Sequence, residues 1–448
     1  MKNKFLGMLF FMLAFIFRAY CQEPDITSLS LEECIDIGLK NNLDLQRSEL
    51  NLVGNEADLL EAKGQRLPSL SASTSSRYNW GRSINPVTNL FETRRIGNIN
   101  LSANSSMTVY SGGQVTNSIQ QAKTELRKGE FDLKATKNNI TLNIINLFVN
   151  VVFAKEQLEV AKSQLEITSN QLKRTRKLVE VGSLPLSNQL DLEAQNATSE
   201  MELTNAENNL RLAKLDLSQA IQVPFQKDFG VAVPDLNAED YWIATDNVEE
   251  AYQIAENNMP EIKSAELAVE SAGYGLKVAK GNFYPSLGLG GNIFSNYVDQ
   301  PDGFGDSAPF GTQVENNLSQ AVGLNLNIPI FSNFRNKAGV QRARVQKQLA
   351  EVQEQEARNL LRQDIETAYT NATGALKTYQ SSRKQVAALE EAFRMAQKQF
   401  EVGVINAVDF QVSQNNLFKA QADMLQAKYE YIFSVKVLDF YLGNPLTL

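Results

Sequence analysis

Leu324-Asn325-Leu326-Asn327-Ile328 alternates apolar and polar side chains without a break, the period of a strand with one apolar and one polar face. Outward from it, residues 319–331 read as one strand. Weaker versions of the pattern stand in three further segments: about 286–297 with Leu287-Gly288-Leu289-Gly290, about 96–110 with Ile99-Asn100-Leu101-Ser102, and about 69–80 with Leu70-Ser71-Ala72-Ser73. Counted from the prolines, the strands are about 10–12 residues, the length a tilted transmembrane strand needs. Pro68 and Pro285 precede the first strand of each pair, and the intervening loops, Gly81–Arg95 and Val298–Ser319, are rich in Gly, Pro, Asn and Asp. Tyr78, Trp80 and Tyr297 at strand ends fit an aromatic girdle or simple packing, with Tyr110 and Phe331 marking an opposite boundary. Four strands do not close a barrel, and an open edge in lipid leaves backbone N–H and C=O groups unpaired. If the strands cross a membrane the chains must associate, as eight strands from two copies or twelve from three.

Between the strands lie very long helical runs. From Val115 through Ile119, Ala122, Leu126 and on to Val179, apolar positions step by threes and fours, with one stutter at Thr136–Ile144. Val340, Ala343, Ala350 and onward to Phe400 repeat the seam. A run of about 70 residues is roughly 105 Å long, several bilayer thicknesses, so it projects away from any membrane it touches. Both runs stop at a glycine, Gly182 and Gly403, suited to a left-handed helix end. Shorter helices return through about Asn188–Ile221 and Asp409–Leu442, making two antiparallel hairpins. The helices before Pro68 and Pro285 supply the missing length if they stack end to end on the returns. Helices alone would read as a soluble coiled coil; the strands argue otherwise.

The two halves are a duplication. At one constant offset Glu32-Glu33 falls on Glu249-Glu250, Asn41 on Asn258 and Pro68-Ser69-Leu70 on Pro285-Ser286-Leu287; at a slightly longer one Glu180-Val181-Gly182 falls on Glu401-Val402-Gly403. The expected organisation is a leader over 1–21, a first repeat over 22–222 with its hairpin at about 111–222, a linker over 223–247 broken by Pro224, Gly230 and Pro234, and a second repeat over 248–448 with its hairpin at about 332–442.

Composition narrows the chemistry. The 448 residues hold 43 Lys+Arg against 51 Asp+Glu, no histidine and two cysteines. Without histidine, triad hydrolysis and His-based metal chemistry are excluded. A net charge of −8 and a pI near 5.1 argue against a nucleic-acid binder. No Gly-rich phosphate loop or Cys pair points to a cofactor or an enzyme. Lys2 and Lys4 precede the apolar run Phe5–Phe17, too short to span a bilayer and suited to a secretory leader, with cleavage after Ala19-Tyr20-Cys21 or, on a second reading, acylation of Cys21. Cys34, beside Leu31, Ile35 and Leu39 on an amphipathic helix pattern, reads as a small buried apolar residue.

With its leader, its duplicated order of helix, two strands, long helix and returning helix, and its hairpin ends Val179-Glu180-Val181-Gly182 and Phe400-Glu401-Val402-Gly403, the sequence resembles the TolC-like outer membrane efflux proteins over nearly the whole mature chain. The resemblance implies a mostly helical fold with membrane strands. Three copies would contribute four strands each to a twelve-stranded barrel, and helical hairpins would form a periplasmic tunnel. It implies an outer membrane channel-tunnel, part of a tripartite efflux or type I secretion system, exporting drugs, metals or secreted products without chemistry of its own. Implied partners are a periplasmic adaptor and an inner-membrane pump of the RND, ABC or MFS type, the adaptor docking at the tips Gly182, Ser183, Leu184, Pro185 and Gly403, Val404, Ile405, Asn406. The family often places aspartates six and nine positions past the tip glycine, at the tunnel entrance; Asp409 and Asp191 match, whereas Asn188 and Val412 depart.

Asn188-x-x-Asp191 and Asn406-x-x-Asp409 also read as helix N-caps followed by an acid in the first turn. The basic run Lys173, Arg174, Arg176, Lys177 reads as a solvated face or as the family's polar network at the entrance. Two other classes carry similar helices: a periplasmic adaptor, which usually has one hairpin rather than two, and a non-conducting envelope-spanning tether.

Overall fold

In the computed structural model, residues 28–84, 90–226, 229–232, 237–244, 247–299 and 308–444 are described; the leader expected over 1–21 lies outside them. The chain is mostly helical with one four-stranded antiparallel sheet. In order it forms α1 (Leu31–Asn41), α2 (Leu43–Gly64), β1 (Ser69–Ile84), β2 (Phe91–Ser111), α3 (Gln114–Glu180) and α4 (Leu186–Ala220). A 3₁₀ turn over Ala238–Asp240 leads to α5 (Val248–Asn258), α6 (Pro260–Gly281), β3 (Ser286–Asp299), α7 (Phe310–Asn316), β4 (Ser319–Asn327), α8 (Arg335–Glu401) and α9 (Ala407–Tyr441). Among the described residues no helix is long and apolar enough to cross a membrane. Two compact units result: Glu49–Asp132 with Glu261–Ala357, and Met1–Ser48 with Leu133–Pro260 and Arg358–Leu448.

The first of these holds the sheet, in the order β1-β2-β3-β4. Register gives its two faces opposite chemistry. Thr74, Leu101 and Ser295 lie opposite one another, as do Ala72, Ala103, Ile293 and Gln320, so Leu70, Tyr78, Trp80, Ile99, Met107, Leu289, Val322, Leu324 and Leu326 share one face. Ser71, Ser73, Ser75, Asn98, Asn100, Ser102, Asn104, Asn292 and Asn325 share the other. Cross-strand hydroxyl pairs such as Ser73–Ser102 (2.7 Å) and Ser69–Ser106 (2.9 Å) run along the polar face. The apolar face is uncovered in the single chain, with Val322 82% and Leu324 70% exposed.

Strand lengths differ from the sequence reading. β1 and β2 continue as a paired hairpin to Ile84 and from Phe91, because the alternation of Tyr78, Trp80, Arg82 and Ile84 persists past Gly81, where the loop was expected to begin. β4 ends at Asn327 rather than 331. Its last partner is Ser286, the first residue of β3, and Pro329 has no N–H to carry the ladder further. The loop expected over 298–319 contains α7, whose side chains cap β3 beyond the reach of β4. Gln313 Oε1 accepts from Val298 N–H (3.0 Å) while its Nε2 donates to Val298 O (3.2 Å), and Asn317 Nδ2 donates to Asn296 O (2.8 Å).

The other unit is built on helices with a core where α1, α3, α4 and α9 meet. Cys34, Ile144, Phe148, Val151, Leu217, Ile221, Tyr431 and Ile432 are buried together there. Tyr431 stacks on Tyr379 of α8 (6.3 Å) and donates to Tyr241 O (2.7 Å), so its hydroxyl is satisfied inside the core. α1 opens with a reciprocal cap between Ser30 and Glu33, which holds the Glu33 carboxyl below its ordinary pKa. Corresponding helices have equal lengths: α1 and α5 have 11 residues, α2 and α6 22, α3 and α8 67, α4 and α9 35.

Candidate functional site: the hairpin ends

α3 and α8 end in the same way. Gly182 (φ 75°) and Gly403 (φ 76°) take the left-handed conformation. Each donates its N–H back three residues, to Val179 O and Phe400 O, and the following residue donates five back, Ser183 to Leu178 O (2.8 Å) and Val404 to Gln399 O (2.8 Å). This is the Schellman closure, which satisfies helix-end carbonyls and turns the chain by about a half-circle.

The returning helices start differently. Asn406 caps α9, its Oδ1 accepting from Asp409 N–H at 2.9 Å. Asn188 is not a cap: α4 starts at Leu186, and Pro185, the counterpart of Asn406, occupies the N-cap position with no side-chain hydrogen bond. The fixed φ of proline pre-sets the helix start there, so Asn188 falls in the first turn, with its N–H bonded to Pro185 O.

A cleft of ≈ 530 Å³ brings the two tips together. Ser183, Leu184 and Asn188 line it from one hairpin and Gly403, Val404, Ile405, Asn406 and Asp409 from the other. Gly182, Pro185 and Asp191 lie outside its lining. Asp191 and Asp409 are exposed, whereas Asn188 is half-buried. Arg174 also lines the cleft. Arg176 instead makes an ion pair with Glu193 (2.8 Å), a carboxylate that also accepts from Gln189 Nε2 (3.0 Å). These two donors, Gln189 first and Arg176 second, hold the Glu193 carboxyl below its ordinary pKa.

Sequence reasoning missed Glu193, one helical turn past Gln189; the i, i+4 spacing was its only signal. It also missed the apolar floor. Phe400, a cleft residue, stacks on buried Phe410 (4.9 Å), which also meets Phe393 (5.6 Å). Above the tips the packing turns polar: Thr168, Thr175, Ser199 and Gln414 are buried, and Ser199 Oγ and both amide atoms of Gln414 lack a hydrogen-bond partner among the described residues. Gln195 Nε2 donates to Asn415 Oδ1 at 3.1 Å, tying α4 to α9.

A profile of the family described as Outer membrane efflux protein matches residues 34–221 and 251–444. Among curated relatives, the outer membrane efflux protein BepC of Brucella suis biovar 1 is 22% identical over 394 residues, covering 88% of this chain and 80% of that protein. The outer membrane protein TolC of Vibrio cholerae is 23% identical over 403 residues, covering 87% and 88%. Among solved structures, the Campylobacter jejuni CmeC outer membrane channel superposes with a TM-score of 0.78 at 19% identity, covering 92% of this chain and 85% of that one. The Vibrio cholerae outer membrane protein VceC gives 0.78 at 17%, covering 93% and 97%. Two-faced strands, glycine-closed helical hairpins and a profile spanning both halves of the sequence converge: the chain belongs to the outer membrane efflux protein family and acts as an efflux channel of that membrane.

Proposed function

We propose that three copies of this chain assemble into one conduit, with the sheets joined edge to edge as a twelve-stranded barrel and the helical hairpins continuing it as a periplasmic tunnel. The observation that carries this reading is the sheet. One face is apolar and uncovered, the other is Ser- and Asn-rich, and β1 and β4 are both edge strands. In lipid the apolar face needs no protein cover, but unpaired edges cost several kcal/mol per group, so closure with other copies is the low-energy state. The polar face then lines the water-filled lumen. The twofold duplication behind this arrangement is supported by the equal lengths of the paired helices.

The tips Gly182–Pro185 and Gly403–Asn406 are the docking points for a periplasmic adaptor, which couples the channel to an inner-membrane pump of the RND, ABC or MFS type. Asp409, Asn188 and Asp191 form the polar entrance, where like charge from three copies biases which ions and solutes enter. Relatives support both export routes: one is named an antibiotic efflux pump outer membrane protein and another an alkaline protease secretion protein. Energy comes from the pump, and the channel moves between closed and open tips as partners shift the equilibrium.

The test is assembly. Membrane extraction followed by gel electrophoresis with and without heating, and by light scattering in detergent, should give a carbonate-resistant oligomer of three chains that collapses to one chain on boiling. A carbonate-soluble monomer would favour the adaptor or tether readings instead.

A further inference from the structure

The outward end of the β1–β2 hairpin carries a pattern that export does not use. Counting up the apolar face from Leu70 to Trp80 spans ten residues, about 33 Å along the strand and about 25 Å at a 40° tilt, the height of a barrel's apolar band. At the upper end of this span the same face changes character: Arg95 stands level with Trp80, and Arg82 follows one step beyond, opposite Thr93. The guanidinium of Arg82 lies over the Phe91 ring (4.6 Å) and that of Arg95 over the Tyr78 ring (5.1 Å), while Tyr78 and Trp80 sit 6.0 Å apart. Arg95 also pairs with Asp299 (3.3 Å), so that among the described residues this end of the face holds two cations against one carboxylate. Trp80 is 74% and Phe91 59% exposed. Over residues 77–95 the sequence holds four arginines and one acid, on a chain whose net charge is −8.

The other ends of β1 to β4 adjoin α2, α3, α6 and α8. Helices of 67 residues belong on the periplasmic side, so this hairpin stands at the outer leaflet. Ring faces at that depth sit among lipid headgroups, and guanidinium groups held against them meet the layer where lipid phosphates lie.

We propose that Arg82 and Arg95, positioned by Phe91 and Tyr78, bind a phosphate-bearing lipid headgroup of the outer leaflet, one site per chain. The inference rests on the outer-membrane reading.

The test compares the full-length oligomer with an Arg82→Gln/Arg95→Gln variant, each extracted in mild detergent, counting phosphorylated glycolipid retained per chain. The expected result is about a tenfold drop in the variant, with retention restored by Arg82→Lys/Arg95→Lys. In a Trp242→Phe background, Trp80 emission should shift to the blue in vesicles containing phosphorylated glycolipid and shift less with the same lipid dephosphorylated. Equal retention by native chain and Gln variant, no discrimination between the two vesicles, or displacement of the lipid by millimolar inorganic phosphate alone would overturn the proposal. Heat-modifiable mobility on the same samples separates the outcomes. An intact oligomer without lipid discrimination removes the lipid site only, whereas a native chain that never inserts removes the channel reading with it.

Discussion

Asn406 and Pro185 start equivalent helices by different chemistry, and the difference is measurable. Asn406→Ala removes a side-chain acceptor and should destabilise the start of α9 by about 1 kcal/mol, read as faster amide exchange over 407–410. Asn188→Ala, in the first turn of α4, should leave exchange there nearly unchanged. Both Asn-x-x-Asp stretches were legible as helix starts in the sequence. Which asparagine caps was not, because that depends on how many residues the closure at the glycine leaves before the helix resumes. The glycines themselves were legible, since a left-handed residue ending a long apolar seam has few alternatives.

Glu193 gives a pH prediction at the same scale. Its pKa is depressed in the folded chain, so its contribution is fully present above the ordinary carboxylate value and is lost as pH falls through the lower folded value. Arg176→Gln should therefore remove part of the acid-side loss of stability, seen as a smaller difference in Tm between neutral and strongly acidic solution. Cys34, fully buried with its thiol pushed up to about 12 by desolvation, should resist alkylation in the native oligomer and react only on unfolding.

At the scale of elements, the two sheet faces predict opposite tolerances. Leu324→Arg puts a charge on the apolar face, which the proposed barrel turns to lipid, and should lower the amount of assembled oligomer in the membrane. Asn325→Arg, on the next residue and the polar face, should assemble normally and alter ion preference. Equal effects of the two would contradict the face assignment. In the hairpin, Phe410→Ala deletes a buried ring stacked on Phe400 and should cost about 3–5 kcal/mol. Gln414→Leu, which removes unpaired buried amide atoms, should raise Tm. Alternation made the strands legible, yet their ends were not. β4 stops where β3 begins after Pro285 and just before its own Pro329, so its end is set by the partner strand and by a missing N–H rather than by the alternation. α7 escaped notice because a helix of 7 residues carries almost no periodic signal, and its role, edge capping through Gln313 and Asn317, exists only in three dimensions.

For the whole molecule, the class of fold was readable from the order of elements and its repetition, since few architectures combine helices of this length with strands that have one apolar and one polar face. The cleft was only half readable. The tip residues that form it are near their glycines in sequence, but its pairing of Asn188 with Asp409 and its floor at Phe400 depend on two segments more than two hundred residues apart. Export as proposed requires current to pass through the oligomer by way of its helical tips. Planar-bilayer recording of the purified oligomer, native against Asp191→Ala/Asp409→Ala, tests it most directly. Discrete unitary steps are expected in the native protein and a weakened cation preference in the variant. A correctly inserted oligomer that passes no current, even when the tips are disrupted by Gly182→Pro/Gly403→Pro, would contradict it.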